Sequence, residues 1–191
     1  KPKFEIQNNQ KHIIGRILAF FEIFFNKEVK LEYNTKINDK FIAKANQLLP
    51  NTKKYIGLSL VSGHQTRTKE FNKTELIKII NHFKKKYTPV FFIEKNQKEM
   101  INFIKENFSD AFFPEHNVGE EYNFPDLLIA LSNLMEFNIT IDNGVAHLLS
   151  LSKTKTFAFY PGNADKFKPL YKNSRNIRID TRFKCKWSEI R

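Results

Sequence analysis

From residue 53 to residue 160 the chain repeats one alternation. A short run of apolar residues is followed by a longer segment with apolar residues at helical spacing. "KYIGLSLV" (54–61) reads as a strand. "NKTELIKIINHFKKKY" (72–87) then places Leu76, Ile79, Ile80 and Phe83 on one helical face, with Asn72 or Thr74 available as the cap. "PVFFIE" (89–94) is the next strand, "NQKEMINFIKENF" (96–108) the next helix, and "AFFP" (111–114) a short strand. "FPDLLIALSNLME" (124–136) is helical, with Pro125 in its first turn. "FNITI" (137–141), "GVAHLLSLS" (144–152) and "TKTFAFY" (154–160) give strand, helix and strand again. The runs are apolar at both odd and even positions, so each strand is buried on both faces. Such strands, separated by helices, form a parallel sheet. Right-handed crossovers then place helices on both faces. The expectation is an α/β, Rossmann-like domain over residues 53–180.

Two helix-like stretches, 11–26 and 38–49, precede this pattern, and Pro50-Asn51-Thr52 breaks it. Residues 1–52 are therefore expected to be the end of an N-terminal unit and a linker, and residues 181–191 a C-terminal tail. The sequence begins at Lys1, not Met, and is expected to be part of a longer chain. The apolar run 13–25 contains Arg16 and Glu22 and is shorter than the roughly 20 residues a membrane helix needs. One cysteine, Cys185, excludes an internal disulfide and a Cys-based zinc cluster, and fits a reducing compartment.

The net charge of +12 points to polyanionic partners, either nucleic acid, anionic membrane or phosphorylated substrates. Composition offers a plainer account: Lys, Asn, Ile and Phe are enriched together, and all four have A/T-rich codons. The densest basic cluster, "HFKKKY" (82–87), ends a helix, where cations suit the helix dipole without a partner. Zinc-finger spacing, an RRM signature and a basic stripe with interleaved aromatics are missing from the sequence. A nucleic-acid partner is not expected, although a basic nucleic-acid-binding module is the alternative class.

In an open parallel sheet, ligands bind beyond the carboxyl ends of the strands. Three loops matter there. "VSGHQTRTKEF" (61–71) offers hydroxyls at Ser62 and Thr66 and fixed cations at Arg67 and Lys69, the chemistry of a phosphate-binding loop, though without Walker spacing. "DNGVAH" (142–147) leaves a strand and opens a helix. Asn143 and Gly144 tolerate left-handed backbone angles, Asp142 is placed to cap the helix or hold the loop, and His147 lies one turn in. The first N–H groups of that helix suit a phosphate. "YPGNADKFKP" (160–169) follows the last strand. Glu94, at the end of the second strand, is placed to accept hydrogen bonds from ribose hydroxyls. Each loop taken alone also reads as an ordinary polar connector.

Taken together, over about residues 53–170, the loops resemble glycosyltransferase family 9, the ADP-heptose:lipopolysaccharide heptosyltransferases. Asp142-Asn143-Gly144-Val145-Ala146-His147 is similar to the family's Asp-Ser/Thr-Gly-x-x-His segment. Phe159, Pro161, Phe167 and Pro169 match its Phe-x-Pro and aromatic-x-Pro positions, and Lys69-Glu70-Phe71 resembles its Lys-x-Trp. Asn143 stands where the family has Ser or Thr, Tyr160 where Gly is common, and Phe71 where Trp is common. The resemblance implies the C-terminal half of a GT-B fold, binding a nucleotide-sugar donor, ADP-heptose. It implies donor contacts from the backbone at Asn143, Gly144 and Val145 and from Lys69, with hydrogen bonds from Ser62 or Thr66; the reading of the loops themselves adds Glu94, His147 and, in a supporting role, Asp142. Lys69 would stabilise the leaving diphosphate, and no metal or other cofactor is implied. A lipopolysaccharide core or related glycan would be the acceptor, with the catalytic base in the other half of the enzyme. A cytoplasmic location with peripheral contact to anionic inner membrane follows from the same resemblance. A GT-B enzyme using a UDP- or GDP-sugar is the neighbouring alternative.

Overall fold

The computed structural model describes residues 12–29, 35–61, 71–122, 125–160, 166, 168–171 and 173–178. Among them the helices are α1 (Ile13–Phe25), α2 (Asp39–Leu48), α3 (Lys73–Phe83), α4 (Lys98–Asn107), α5 (Pro125–Ser132) and α6 (Gly144–Ser150). The strands are β1 (Tyr55–Ser59), β2 (Thr88–Phe91), β3 (Met135–Ile141), β4 (Thr156–Tyr160) and β5 (Ser174–Arg178). Local chemistry accounts for several boundaries. Asn72 accepts a hydrogen bond from the Glu75 N–H at 2.9 Å while Glu75 accepts one from the Asn72 N–H at 3.0 Å, so a reciprocal capping box starts α3. α1 ends at Asn26, whose φ of 50° is the left-handed conformation that stops helices. Pro125 opens α5, where its missing N–H costs nothing.

The five strands form one parallel sheet in the order β2-β1-β3-β4-β5. Phe112 adds a single parallel bridge to Val90 outside β2, with the Phe91 N–H donating to the Phe112 carbonyl at 2.8 Å. Counting that bridge as a vestigial strand, the order is that of the doubly wound dinucleotide-binding sheet. Helices cover both faces. On one, Leu76 and Ile80 of α3 and Ile101 and Ile104 of α4 pack on Ile56, Leu58, Ile139 and Ile141. On the other, α2, α5 and α6 pack on Tyr55, Val90, Phe92 and Met135.

The structure therefore has the α/β, Rossmann-like architecture expected from the alternation. It differs in three places. "AFFP" does not extend as a strand: only Phe112 bridges, and Pro114–Asn117 turns into a 3-10 helix because proline lacks the N–H a ladder needs. Strand β5, "SRNIR", was not anticipated. It is an edge strand with Arg175 and Ile177 exposed, so it shows no apolar run. α2 also contributes Phe41 and Ala45, and Leu49 just after it, to the core of the second face.

One close approach fixes the sheet's middle. Gly57 of β1 lies beside Asn138 of β3, and a Cβ on Gly57 would collide with Asn138 Oδ1 and come within 2.8 Å of the Phe92 ring. The room is used by the Asn138 amide, which donates to Ser132 Oγ at 2.8 Å and Thr156 Oγ1 at 3.2 Å. Asn138 is fully buried; these bonds offset the cost of removing its NH2 group from water, while its Oδ1, facing Gly57, is buried without a hydrogen-bond partner.

Candidate functional site

β1 and β3 are neighbours, but the chain leaves them in opposite directions. After β1 it passes to α3 on one face, and after β3 it passes to α6 on the other. The divergence opens a crevice at the carboxyl ends of these strands, the usual ligand position in such sheets. Asn143 sits in it. Its Oδ1 accepts from the Ala146 N–H at 2.9 Å and so caps α6. Its Nδ2 donates across the crevice to Ser59 Oγ at 3.0 Å, to the Val61 carbonyl at 3.1 Å and, more weakly, to the Ser59 carbonyl at 3.4 Å. One side chain thus pins the start of α6 to the end of β1.

That geometry revises two details of the sequence reading. The turn off β3 uses no left-handed angle: Asn143 has φ −145°, and no glycine among the described residues has a positive φ. The capping residue is Asn143, not Asp142, because the β conformation at Asn143 aims its side chain back at the helix N–H groups. Gly144 opens the helix in the open, with nothing within 4 Å of where a Cβ would sit. Neither φ nor packing within the protein requires glycine there.

Val145 packs into the core of the second face, and His147 is half-buried one turn into α6. Glu94 is exposed beyond the end of β2 and accepts a hydrogen bond from Asn96 Nδ2 at 3.3 Å. Ser62, Thr66 and Lys69 lie outside the described residues. The end of their loop is described: Phe71 packs on the first core and meets Phe159 edge-on, ring centroids 6.0 Å apart. Phe159 is the first residue of the Phe-x-Pro motif. Among the described residues of the three motifs, Asn143 and the Phe71–Phe159 pair lie toward the carboxyl ends of the strands. Asn143 joins the second motif to the end of β1, and Phe71 meets Phe159.

Two acidic environments at this end were not signalled by the sequence. Glu115, in the 3-10 helix after Phe112, has its carboxyl pushed up to about 7 by burial and then by the nearby Glu94 charge, with Lys95 opposing. Its neighbour His116 bonds the Ile93 carbonyl through Nε2 at 2.8 Å and stacks on Phe113, 5.2 Å between centroids. Tyr160, the last residue of β4, is fully buried and its hydroxyl has no hydrogen-bond partner. Burial and the Asp142 carboxylate both raise its pKa, so it stays a protonated donor.

With this geometry in hand, solved structures give the comparison. The fold is that of glycosyltransferase family 9 structures. A family 9 glycosyl transferase from Veillonella parvula DSM 2008 superposes with a TM-score of 0.70 at 18% identity, over 93% of this chain and 52% of that one. The E. coli ADP-heptose lps heptosyltransferase II gives 0.60 at 17% identity, over 78% of this chain and 46% of that one. The E. coli heptosyltransferase WaaC with ADP gives 0.61 at 12% identity, over 89% of this chain and 51% of that one. The chain spans about half the length of each. No protein-family model and no curated protein matches its sequence.

Proposed function

We propose that the chain is the donor-binding half of a heptosyltransferase-type glycosyltransferase. The donor is a nucleotide diphosphate sugar, ADP-heptose, and the acceptor a lipopolysaccharide core or related glycan. The observation that carries this reading is the crevice between β1 and β3, where Asn143 of the Asp-Asn-Gly segment caps α6 and reaches Ser59 and Val61. Gly144 supports it. A glycine required by neither φ nor packing leaves its backbone open to a ligand's close approach. One of the similar structures was solved with ADP bound.

In this reading the diphosphate lies over the start of α6, where the first N–H groups of a helix have no intrahelical partner. Glu94 takes the ribose hydroxyls, and Ser62 and Thr66 add hydrogen bonds to the phosphates. Transfer breaks the bond from the sugar's anomeric carbon to the phosphate oxygen and forms one to the acceptor oxygen. The acceptor's proton goes to a base in the other half of the enzyme, and the nucleoside diphosphate leaves. Negative charge grows on that leaving group, and Lys69 with the fixed N–H groups stabilises it.

Calorimetric titration with ADP, beside UDP and GDP, tests the reading. Saturable ADP binding, weakened at least tenfold in Lys69→Ala and in Gly144→Val with the fold intact, is the expected result. A preference for UDP or GDP would keep the fold and site but change the donor. Affinities unaltered by both substitutions would remove the assignment of the site.

A further inference from the structure

α1 carries only Arg16 and Glu22 as charged residues, yet none of its residues is buried. A helix that is apolar on nearly every side is ordinarily an interior one. Seven of its large apolar side chains stay in solvent, from Phe21 at 40% exposed to Phe24 at 70%. Taking about 200 Å² for a whole large side chain, they present about 700 Å² of apolar surface on one helix. The largest apolar patch of a typical monomer is about 300–600 Å², and a stable interface takes about 800 Å² from each partner. The patch is also ordered before anything covers it. His12 Nδ1 accepts the Ile14 N–H at 3.2 Å at the start of the helix. Phe20 stacks on Phe24 with centroids 6.1 Å apart, Phe21 on Phe25 at 5.9 Å, and Phe24 meets Phe25 edge-on at 5.1 Å. Rings that already hold one another lose little further freedom on binding.

The spacing within the patch identifies the partner. Ile13, Ile17, Phe20 and Phe24 follow one another at four, three and four residues, the seam along which two helices pack knobs into holes. That spacing is the same read from either end. When two such helices lie antiparallel, Ile13 of one copy meets Phe24 of the other and Ile17 meets Phe20. Each contact then recurs with the roles reversed, as an interface about a two-fold axis requires. Every layer joins one isoleucine to one phenylalanine, so all four layers have the same width. A parallel pair would set isoleucine on isoleucine and phenylalanine on phenylalanine, and its layers would differ. The charges of the helix permit the pairing. Glu22 lies on the side away from the stripe, where its Oε1 accepts the Val29 N–H at 3.4 Å. Arg16 flanks the stripe, and its apolar stem can lie along the facing helix with the guanidinium in water. We infer that α1 pairs antiparallel with α1 of a second copy of this chain, about an axis between Leu18 and Ala19. α1 contributes to neither core of the sheet, and the pairing does not depend on what binds at the candidate donor site.

Sedimentation equilibrium of the whole chain over a concentration series tests this. The expected result is a reversible equilibrium between monomer and dimer with no larger species. The dimer should tighten as salt is added, because two chains of net charge +12 repel each other while the seam itself holds by apolar contact. Ile17→Glu/Phe20→Glu buries carboxylates in the central layers and should weaken the dimer about a hundredfold or more. Leu170→Glu/Ile177→Glu places the same charge on two other exposed apolar residues and should leave it little changed. All four positions are exposed, and circular dichroism confirms that both variants fold. Orientation is read in a Cys185→Ser background by mixing Ile13→Cys chains with Phe24→Cys chains and adding a short bis-maleimide. Antiparallel pairing links the two variants to each other and neither to itself. A monomer at every concentration, equal effects of the two glutamate pairs, open-ended oligomers, or each variant linking to itself would overturn the pairing. A monomer that binds neutral phosphatidylcholine vesicles, and loses that binding in Ile17→Glu/Phe20→Glu, would overturn it too and assign the stripe to lipid.

Discussion

Asn143 shows how one residue type reconciles cap and crevice. A serine or threonine hydroxyl at this position can cap α6, but it is too short to reach Ser59 and the Val61 carbonyl as well. The amide divides the work, its oxygen on the Ala146 N–H and its nitrogen on the end of β1. Glu115 carries the testable consequence of burial at the same end. Its carboxyl stands at 4.5 in the absence of the fold and is raised to about 7 within it. Between those values the folded chain holds a proton that the unfolded chain releases. Glu115 therefore stabilises the fold fully below about pH 4.5, and the contribution is lost as pH rises through about 7. Urea denaturation at pH 5 and pH 8 should show the parent losing more stability on going to pH 8 than Glu115→Gln. Parallel pH profiles for the two proteins would mean that Glu115 titrates like a surface carboxylate.

At the scale of elements, Gly57 and Asn138 decide how tightly β1 and β3 meet. Gly57→Ala pushes a methyl group into the Asn138 amide and the Phe92 ring, both buried. Overpacking of this kind costs about 1–3 kcal/mol. Asn138→Ala alone strips partners from Ser132 and Thr156, and in the double variant the new methyl group has somewhere to go. The two substitutions should therefore destabilise together by less than their sum, read by urea denaturation. Strict additivity would mean that the strands separate freely here. The alternation of apolar runs and helical segments made the central strands legible, because burial on both faces leaves a mark at every position. β5 left none: Arg175 and Ile177 face solvent on an edge. Phe112 was over-read, since an apolar triplet followed by proline looks like a strand until the missing N–H is counted. In the candidate site, the loops could be found from strand ends and motif order. The role of Asn143 could not, because its partners at Ser59 and Val61 are more than eighty residues away.

For the whole molecule, the two leading helices stand in different relations to the sheet. α1 has no buried residue, and Ile13, Ile17, Phe20 and Phe24 form an exposed apolar stripe at spacings of four, three and four. Its start is held to the rest by His12 Nε2 and the Lys168 carbonyl at 2.8 Å. α2 instead sinks Phe41, Ala45 and Leu49 into the core shared with α5, and Ile37 packs beside them. Truncation tolerance follows burial, not position along the chain. A chain beginning at residue 36 should melt cooperatively and be more soluble, because the seven exposed large apolar side chains of α1 have left the surface. A chain beginning at residue 53, at the proline break, forfeits three buried side chains. Removing a buried phenylalanine side chain alone costs about 3–5 kcal/mol, a large part of the 5–15 kcal/mol a domain holds in reserve. It should lose its cooperative melt by circular dichroism. If the shorter chain melts as well as the longer one, the folding unit begins at β1 and α2 is a docked linker. If only the longer chain melts cooperatively, α2 is part of the sheet domain and the working boundary lies between the two helices.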